Sequence, residues 1–332
     1  MTANTNPATI LFGATRRPHP IPPVVHYCGQ PRFLEKALAL QAHEGPRFDI
    51  AFDLEDGAPA GDEAAHAARA VEYVMSAANR FGRVGVRIHD RTHPHWWRDL
   101  TTLLPVTAER IAFVTLPKAR AYEDVAVVAD AIAFLCRNAA RTPPLHVLIE
   151  THGALRDAYP IAAHPLVECL DFGLMDFVSE HLGAIPADAM RSPLQFEHPL
   201  IRRAKTTVAA AAHAAGKVAA HNVCVVLDDS NLAYQDARRA RDEFGFTRMW
   251  SIHPSQIGPI VEAFTPSAEE IRDAERILLA AAAANWGPIR DHGRLHDRAS
   301  YRYYWMVLAR AHQVGVTLPE TIAAWFVAES SR

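Results

Sequence analysis

The chain has 332 residues, 34 Lys+Arg against 37 Asp+Glu for a formal net charge of −3, and is 49% apolar and 21% charged. That balance leaves no electrostatic footprint for nucleic acid or an anionic membrane surface, and the apolar fraction excludes a disordered chain. At ~150 residues per domain the length allows two domains, or one α/β barrel of about 250 residues with an appendage.

Residues 1–23 are rich in Asn, Thr and Pro, and Arg16-Arg17 leads into His19-Pro20-Ile21-Pro22-Pro23 instead of an apolar segment. This reads as an N-terminal extension and not as a secretion signal. Short runs rich in Val, Ile and Phe then alternate with longer Ala-rich amphipathic stretches, the pattern of repeated βα units. Strands are predicted at Val24–Cys28, Phe48–Leu54, Val84–Ile88, Ile111–Leu116, His146–Ile149, Val167–Phe172, Val218–Ala220 and Met249–Ile252. Helices are predicted at Pro31–His43, Asp62–Arg80, Trp96–Leu103, Tyr122–Asn138, Leu155–Ala163, Leu200–Ala215, Asn231–Phe244 and Ser255–Phe264. An open doubly wound sheet is compatible with this alternation, but eight units over this span favour a closed (β/α)8 TIM barrel. Pro266-Ser267 caps a further helix to Asn285, which Trp286-Gly287-Pro288 ends. A barrel domain at 24–285 and a C-terminal helical appendage at 286–332 follow, the appendage holding a His- and Arg-rich linker and a helix at Arg298–Val314. The four cysteines, Cys28, Cys136, Cys169 and Cys224, lie far apart without zinc spacing and read as buried thiols of a reducing compartment. With no apolar run of eighteen residues, a cytoplasmic protein is expected, with no membrane and no nucleic-acid partner.

In a barrel the active site forms where the strands end. The polar residues there are Asp53, Glu55 and Asp56, then Arg87 and His89, Lys118, Glu150, Asp176, His221 with Asn222, and His253. Strand ends are often polar because they meet water, so no single member carries weight. As a set, carboxylates converging on one mouth repel one another unless a cation sits among them, and hard oxygen ligands favour Mg2+ or Mn2+. Glu150 and Asp176 each follow a short apolar strand and form the sharpest pair; the competing reading is a helix cap and a solvated side chain. His93-Pro94-His95-Trp96-Trp97 reads as a loop and helix-start packing, His253-Pro254 as a structural turn, and Tyr301, Tyr303, Tyr304 and Trp305 as packing of the appendage onto a barrel or a partner chain.

Six stretches appear in order: Gly29-Gln30-Pro31-Arg32-Phe33-Leu34-Glu35-Lys36-Ala37-Leu38, Phe52-Asp53-Leu54-Glu55-Asp56-Gly57-Ala58, Val86-Arg87-Ile88, Leu116-Pro117-Lys118, Leu148-Ile149-Glu150-Thr151 and Ser251-Ile252-His253-Pro254-Ser255-Gln256-Ile257. Together they resemble the citrate lyase β-subunit and malyl-CoA lyase family of pyruvate/phosphoenolpyruvate-type barrels, over roughly Val24 to Leu279. The resemblance implies a Mg2+-dependent carbon–carbon lyase that splits a 3-hydroxyacyl-CoA, such as malyl-, methylmalyl- or citramalyl-CoA, into an acyl-CoA and a 2-oxo acid. Glu150 and Asp176 would hold the metal, and Arg87 would contact substrate oxygens and steady the developing oxyanion. Asp53 and Glu55, candidate catalytic residues, match with Asp56 the family's acidic turn beside the metal site. Lys118, Asn222 and Arg32 would be further substrate-binding residues, Arg32 standing in where the family's Ser-Arg-Pro is here Gly29-Gln30-Pro31; His221-Asn222 reads equally as satisfying hydrogen bonds at the barrel mouth. The turn lacks the His base of aldolases acting on free 2-oxo acids, which favours the CoA branch over such an aldolase; a non-catalytic citrate lyase-like subunit is a further alternative. Leu295-His296-Asp297 resembles the segment that closes over a neighbouring subunit in a homo-oligomer, a trimer or hexamer. Asp297 is thus a candidate acid/base as well as a helix cap. The segment from Ser179 to Pro199 is longer than in simple family members.

Overall fold

Continuous Val, Ile and Phe runs bury both faces of a strand, which is what a parallel sheet covered by helices demands. In a computed structural model that describes residues 6–13, 21–58 and 60–327, these runs form β1 (Val24–Cys28), β2 (Asp49–Asp53), β3 (Val84–Arg87), β4 (Val114–Leu116), β5 (Leu145–Ile149), β6 (Val167–Phe172), β7 (Val218–His221) and β8 (Arg248–Ser251). All pair in parallel and in chain order, and β8 returns to β1 through Val24↔Met249 and Val25↔Trp250, closing the barrel. The expected (β/α)8 TIM barrel is therefore the fold.

The barrel interior is unusually polar. Trp250 Nε1 donates to Asp171 Oδ1 at 2.9 Å, and Arg248 Nη1 donates to Asp49 Oδ2 at 2.7 Å. Each contact joins strands that are not neighbours, so each crosses the inside of the cylinder. Branched apolar layers more often fill such a core.

Several helices differ from expectation. The helix predicted at Asp62–Arg80 spans Glu63–Met75, because the Asn79 side chain donates to Val74 O at 2.9 Å and accepts from Arg83 N at 3.0 Å, closing the end. The one predicted at Leu155–Ala163 is two, His152–Arg156 and Ala158–Ala163. After β6 comes an unforeseen six-residue helix, Leu174–Ser179, followed by 3-10 turns at Ala187–Met190 and Leu194–Phe196.

The chain divides into Pro22–Phe264, the barrel, and a second unit from residues 1–21 and 265–332. Of the extension expected at 1–23, residues 1–5 and 14–20 lie outside the described residues. The helix Ala268–Ala283, placed with the barrel by sequence, belongs to the second unit. Its apolar face, Ala274, Ile277, Leu278 and Ala281, shares a core with Tyr301, Trp305 and Leu308 of helix Arg298–Gln313 and with Leu11 of helix Pro7–Phe12. Tyr301 and Trp305 thus close the core of their own unit; Tyr301 Oη also donates to Gly287 O at 2.8 Å. The expected linker is a hairpin, Ile289–Asp291 with Arg294–His296, turned by His292 (φ 43°) and Gly293 (φ 79°). Two consecutive positive φ values match the turn that suits strand twist. A last helix, Glu320–Val327, was not foreseen.

Candidate active site

Arg87 ends β3 beside Asp53, which ends β2, and the two register positions pair directly. Its Nε donates to Asp53 Oδ1 at 2.7 Å and its Nη2 to Asp53 Oδ2 at 2.5 Å, a bidentate fork; Nη1 lies 3.1 Å from Glu55 Oε2. The guanidinium also sits 5.4 Å from the ring centroid of half-buried Tyr27. Asp53 further accepts from Glu55 N at 3.0 Å and Gly57 N at 2.9 Å, shaping the acidic turn. Burial would raise the Asp53 carboxyl, but Arg87 and these hydrogen bonds outweigh it and hold the carboxyl below its ordinary range. With both oxygens engaged, Asp53 anchors Arg87 and is badly placed to carry protons.

Lys118 follows β4 with φ 48°, a left-handed backbone uncommon outside glycine. That conformation aims its backbone N–H at Glu150 Oε1, 2.7 Å away. Its ammonium lies 2.5 Å from Glu55 Oε1, 2.7 Å from Asp56 Oδ2 and 4.0 Å from Asp176 Oδ1. Burial disfavours the charge, yet the carboxylates prevail and raise the Lys118 pKa.

Glu150 follows β5 and is buried. Burial first, then the nearby Asp176 carboxylate, pushes its pKa up to about 8. A Cβ at position 173 would stand 2.0 Å from Glu150 Oε2, so the close approach of the β6 turn to this carboxyl requires Gly173. Asp176 sits in the first turn of Leu174–Ser179 and is partly exposed.

A cavity of about 260 Å³ opens between these elements, lined by Arg87, Glu150, Gly173, Asp176, Asn222 and Trp250 among others. Two carboxyls at its wall, one of them held protonated near neutrality by burial and its neighbour, form an all-oxygen donor set. Such a set suits a hard divalent ion that keeps some positions for water or substrate oxygens, and so fits magnesium.

Arg87, Glu150, Asp176, Asn222 and Asp56 thus border one cavity, with Asp53, Glu55 and Lys118 bonded to that group. Other candidates lie elsewhere. Arg32 is exposed, its guanidinium 4.7 Å from the Phe33 ring centroid. His89 is turned onto Asp99, with Nδ1 to Oδ2 at 2.7 Å. His221 is buried against Lys205, and His253 is exposed in a turn whose backbone N–H groups at Ile252 and His253 are capped by Gln256 Oε1. Asp297, exposed in the second unit, caps helix Arg298–Gln313 by accepting from Ala299 N at 2.9 Å. His93 and His95 form no metal-ligating group among the described residues. The group with such spacing is His146, Cys169 and Asp171 inside the barrel. All four cysteines are free and buried.

Sequence reasoning missed Tyr27 and Trp250, whose rings stack at 4.6 Å, Trp250 lining the cavity. Each sits inside an apolar strand, where an aromatic reads as filling. It also missed Gln195 and Lys205, which lie on elements outside the strand ends.

The HpcH/HpaI aldolase/citrate lyase family matches residues 36–254. An L-malyl-CoA/beta-methylmalyl-CoA lyase of Cereibacter sphaeroides is 26% identical over 86% of this chain and 92% of its own length. A (3S)-malyl-CoA thioesterase of the same species is 30% identical over 79% and 83%. A citrate lyase crystal structure from Burkholderia xenovorans LB400 is 51% identical with a TM-score of 0.84, covering 95% of this chain and 99% of that one. CitE from Mycobacterium tuberculosis, in complex with magnesium, acetoacetate and coenzyme A, is 26% identical with a TM-score of 0.66 and covers 89% and 99%. The arrangement of the mouth and the extent of these matches lead to one conclusion: the chain belongs to the HpcH/HpaI aldolase/citrate lyase family.

Proposed function

We propose that the protein is a magnesium-dependent carbon–carbon lyase that cleaves a 3-hydroxyacyl-CoA of the malyl-, methylmalyl- or citramalyl-CoA kind into an acyl-CoA and a 2-oxo acid. The observation that carries this reading is the buried Glu150 carboxyl set against Asp176 at the wall of a cavity that Arg87 also lines. Glu150 and Asp176 would hold Mg2+, with Mn2+ as an alternative hard ion. When bound, such an ion would polarise substrate oxygens as a Lewis acid.

In the cleavage the 3-hydroxyl gives its proton to solvent water, the C2–C3 electron pair passes into the thioester as an enolate, and the enolate carbon takes up one proton in return. Arg87 steadies the oxyanion of the forming 2-oxo acid, a contribution worth about 3 kcal/mol for one well-placed donor. Asp53 and Glu55 keep that guanidinium in place. Both Glu55 oxygens are engaged, by Arg87 and by Lys118, so we assign it a positioning part with Asp53. The Lys118 backbone N–H orients Glu150. Asp297 is our candidate for the group that protonates the enolate carbon, serving a neighbouring copy in a trimer or hexamer. Arg32, exposed, is available to a coenzyme A phosphate.

The test is an assay of malyl-CoA, methylmalyl-CoA and citramalyl-CoA against free 4-hydroxy-2-oxo acids, with magnesium and with EDTA. Release of a 2-oxo acid from a thioester only when magnesium is present supports the reading. Cleavage of the free acids alone overturns the coenzyme A part. Release of free coenzyme A with an intact hydroxy acid would instead make the protein a hydrolase, as the 30% identical thioesterase is named.

A further inference from the structure

We propose that Asn222 is a specificity residue whose side-chain oxygen accepts a hydrogen bond from a substrate hydroxyl, and that Gln195 and Lys205 are positioning residues that hold its amide that way round. The inference rests on the proposed lyase reading for the identity of that hydroxyl.

Asn222 follows β7, is buried, and lines the cavity. Its Nδ2 donates to Gln195 Oε1 at 2.8 Å and to Val223 O at 2.9 Å, which uses both amide hydrogens. Its Oδ1 is buried without a hydrogen-bond partner. An orphaned acceptor in a closed place is costly unless a ligand supplies the donor.

The orientation of an amide is fixed by its neighbours, and the Val223 carbonyl, which can only accept, fixes that of Asn222. Gln195 is buried between two elements. Its Nε2 faces the Asp236 carboxylate, donating to Oδ2 at 3.0 Å, and also donates to Ser192 Oγ at 3.1 Å. Ser192 Oγ itself donates to Asp236 Oδ1. Gln195 Oε1 must then face donors, and it accepts from Lys205 Nζ at 3.0 Å as well as from Asn222. Lys205 is fully buried, its Nζ 2.7 Å from His221 Nε2. His221 Nδ1 is 3.0 Å from the Asn222 carbonyl, which can only accept, so Nδ1 carries the hydrogen and Nε2 accepts from Lys205. Burial and the Lys205 charge lower the His221 pKa, consistent with that neutral tautomer. Turning the Asn222 amide over would put its oxygen against two acceptors, Gln195 Oε1 and Val223 O. The chain from Asp236 to Asn222 therefore sets one outcome: the amide oxygen is left as the unpaired acceptor of a residue that lines the cavity. A 3-hydroxyacyl chain has the matching hydroxyl, and the same chain without it leaves the acceptor unpaired.

The test compares the affinities of malyl-CoA and succinyl-CoA, which differ by that hydroxyl, by calorimetry with EDTA present to stop turnover. The wild-type protein should favour malyl-CoA by about tenfold. Asn222→Ala should erase most of this preference while succinyl-CoA affinity stays within about twofold. Gln195→Met, which does not touch the ligand, should lower the preference in the same direction. Should Gln195→Met fail to fold, Asn222→Ala decides alone, since it leaves Gln195 paired with Asp236 and Lys205. The inference is overturned if the wild type shows no hydroxyl preference, if Asn222→Ala weakens both ligands alike, or if that variant changes only magnesium affinity. If neither thioester binds in EDTA and succinyl-CoA, which cannot be cleaved, also fails to bind with magnesium, the coenzyme A reading fails by itself, and malate against succinate then tests Asn222 by the same criteria.

Discussion

Asp53 and Arg87 show how one ion pair positions a reactive group. The fork is buried, and removing one partner leaves the other charge uncompensated, at about 3–5 kcal/mol in comparable cases. Asp53→Asn should therefore lower the melting temperature and cut turnover together, whereas Glu55→Gln, which leaves the fork intact and loosens one contact each to Arg87 and Lys118, should cost less of both; thermal melts beside the lyase assay check this. Gly173→Ala places a methyl 2.0 Å from Glu150 Oε2 and must displace that carboxyl. A tenfold or greater loss of turnover is expected, on the order of 1.4 kcal/mol, and unaltered turnover would show that the position of Glu150 is unimportant. Of these residues, Arg87, Glu150 and Asp176 were readable in the sequence because Arg87 ends an apolar strand and the two carboxylates closely follow one. The fork between Arg87 and Asp53 was not, since pairing depends on which strands are neighbours. Asn222 was readable as a strand-end residue, but the direction of its amide depends on Gln195 and Lys205, which no local pattern connects to it.

At the scale of elements, the buried strands were plain because parallel strands covered on both faces read as unbroken branched runs. Val24–Cys28 and Val167–Phe172 have the boundaries expected from sequence. Leu174–Ser179 was missed because six residues are too few to display a helical period, although it carries Asp176. The hairpin was missed because His292-Gly293 lacks the usual Asn or Asp before Gly. The N-terminus of helix Arg298–Gln313 permits its two proposed roles to be separated. Asn caps a helix about as well as Asp, whereas Ala costs about 1 kcal/mol. Asp297→Asn should thus leave the melting temperature near wild type while lowering turnover, and Asp297→Ala should lower both. Full turnover in Asp297→Asn would confine the residue to capping.

At the scale of the whole molecule, the chain combines a polar-lined barrel with a second unit that has its own apolar core, and no described helix is long and apolar enough to cross a membrane. The raised pKa of Glu150 links stability to pH. Its folded value of about 8 exceeds the ordinary value of 4.5, so between these values the folded state holds more protons than the unfolded one. The contribution is fully present below about pH 4.5 and is lost as pH rises through about 8. Metal-free protein should lose stability over that window, and Glu150→Gln should flatten the slope. Saturating magnesium should counter the loss, by about 2.7 kcal/mol at one hundred times its dissociation constant.

The most direct test of the central claim is a calorimetric titration of magnesium into the metal-free protein at two pH values below 8, with Glu150→Gln and Asp176→Asn as controls. The expected result is binding to the wild type that releases protons and tightens as pH rises, and its loss in both folded variants. Undiminished, proton-neutral magnesium binding in both variants would contradict the assignment of these two carboxylates.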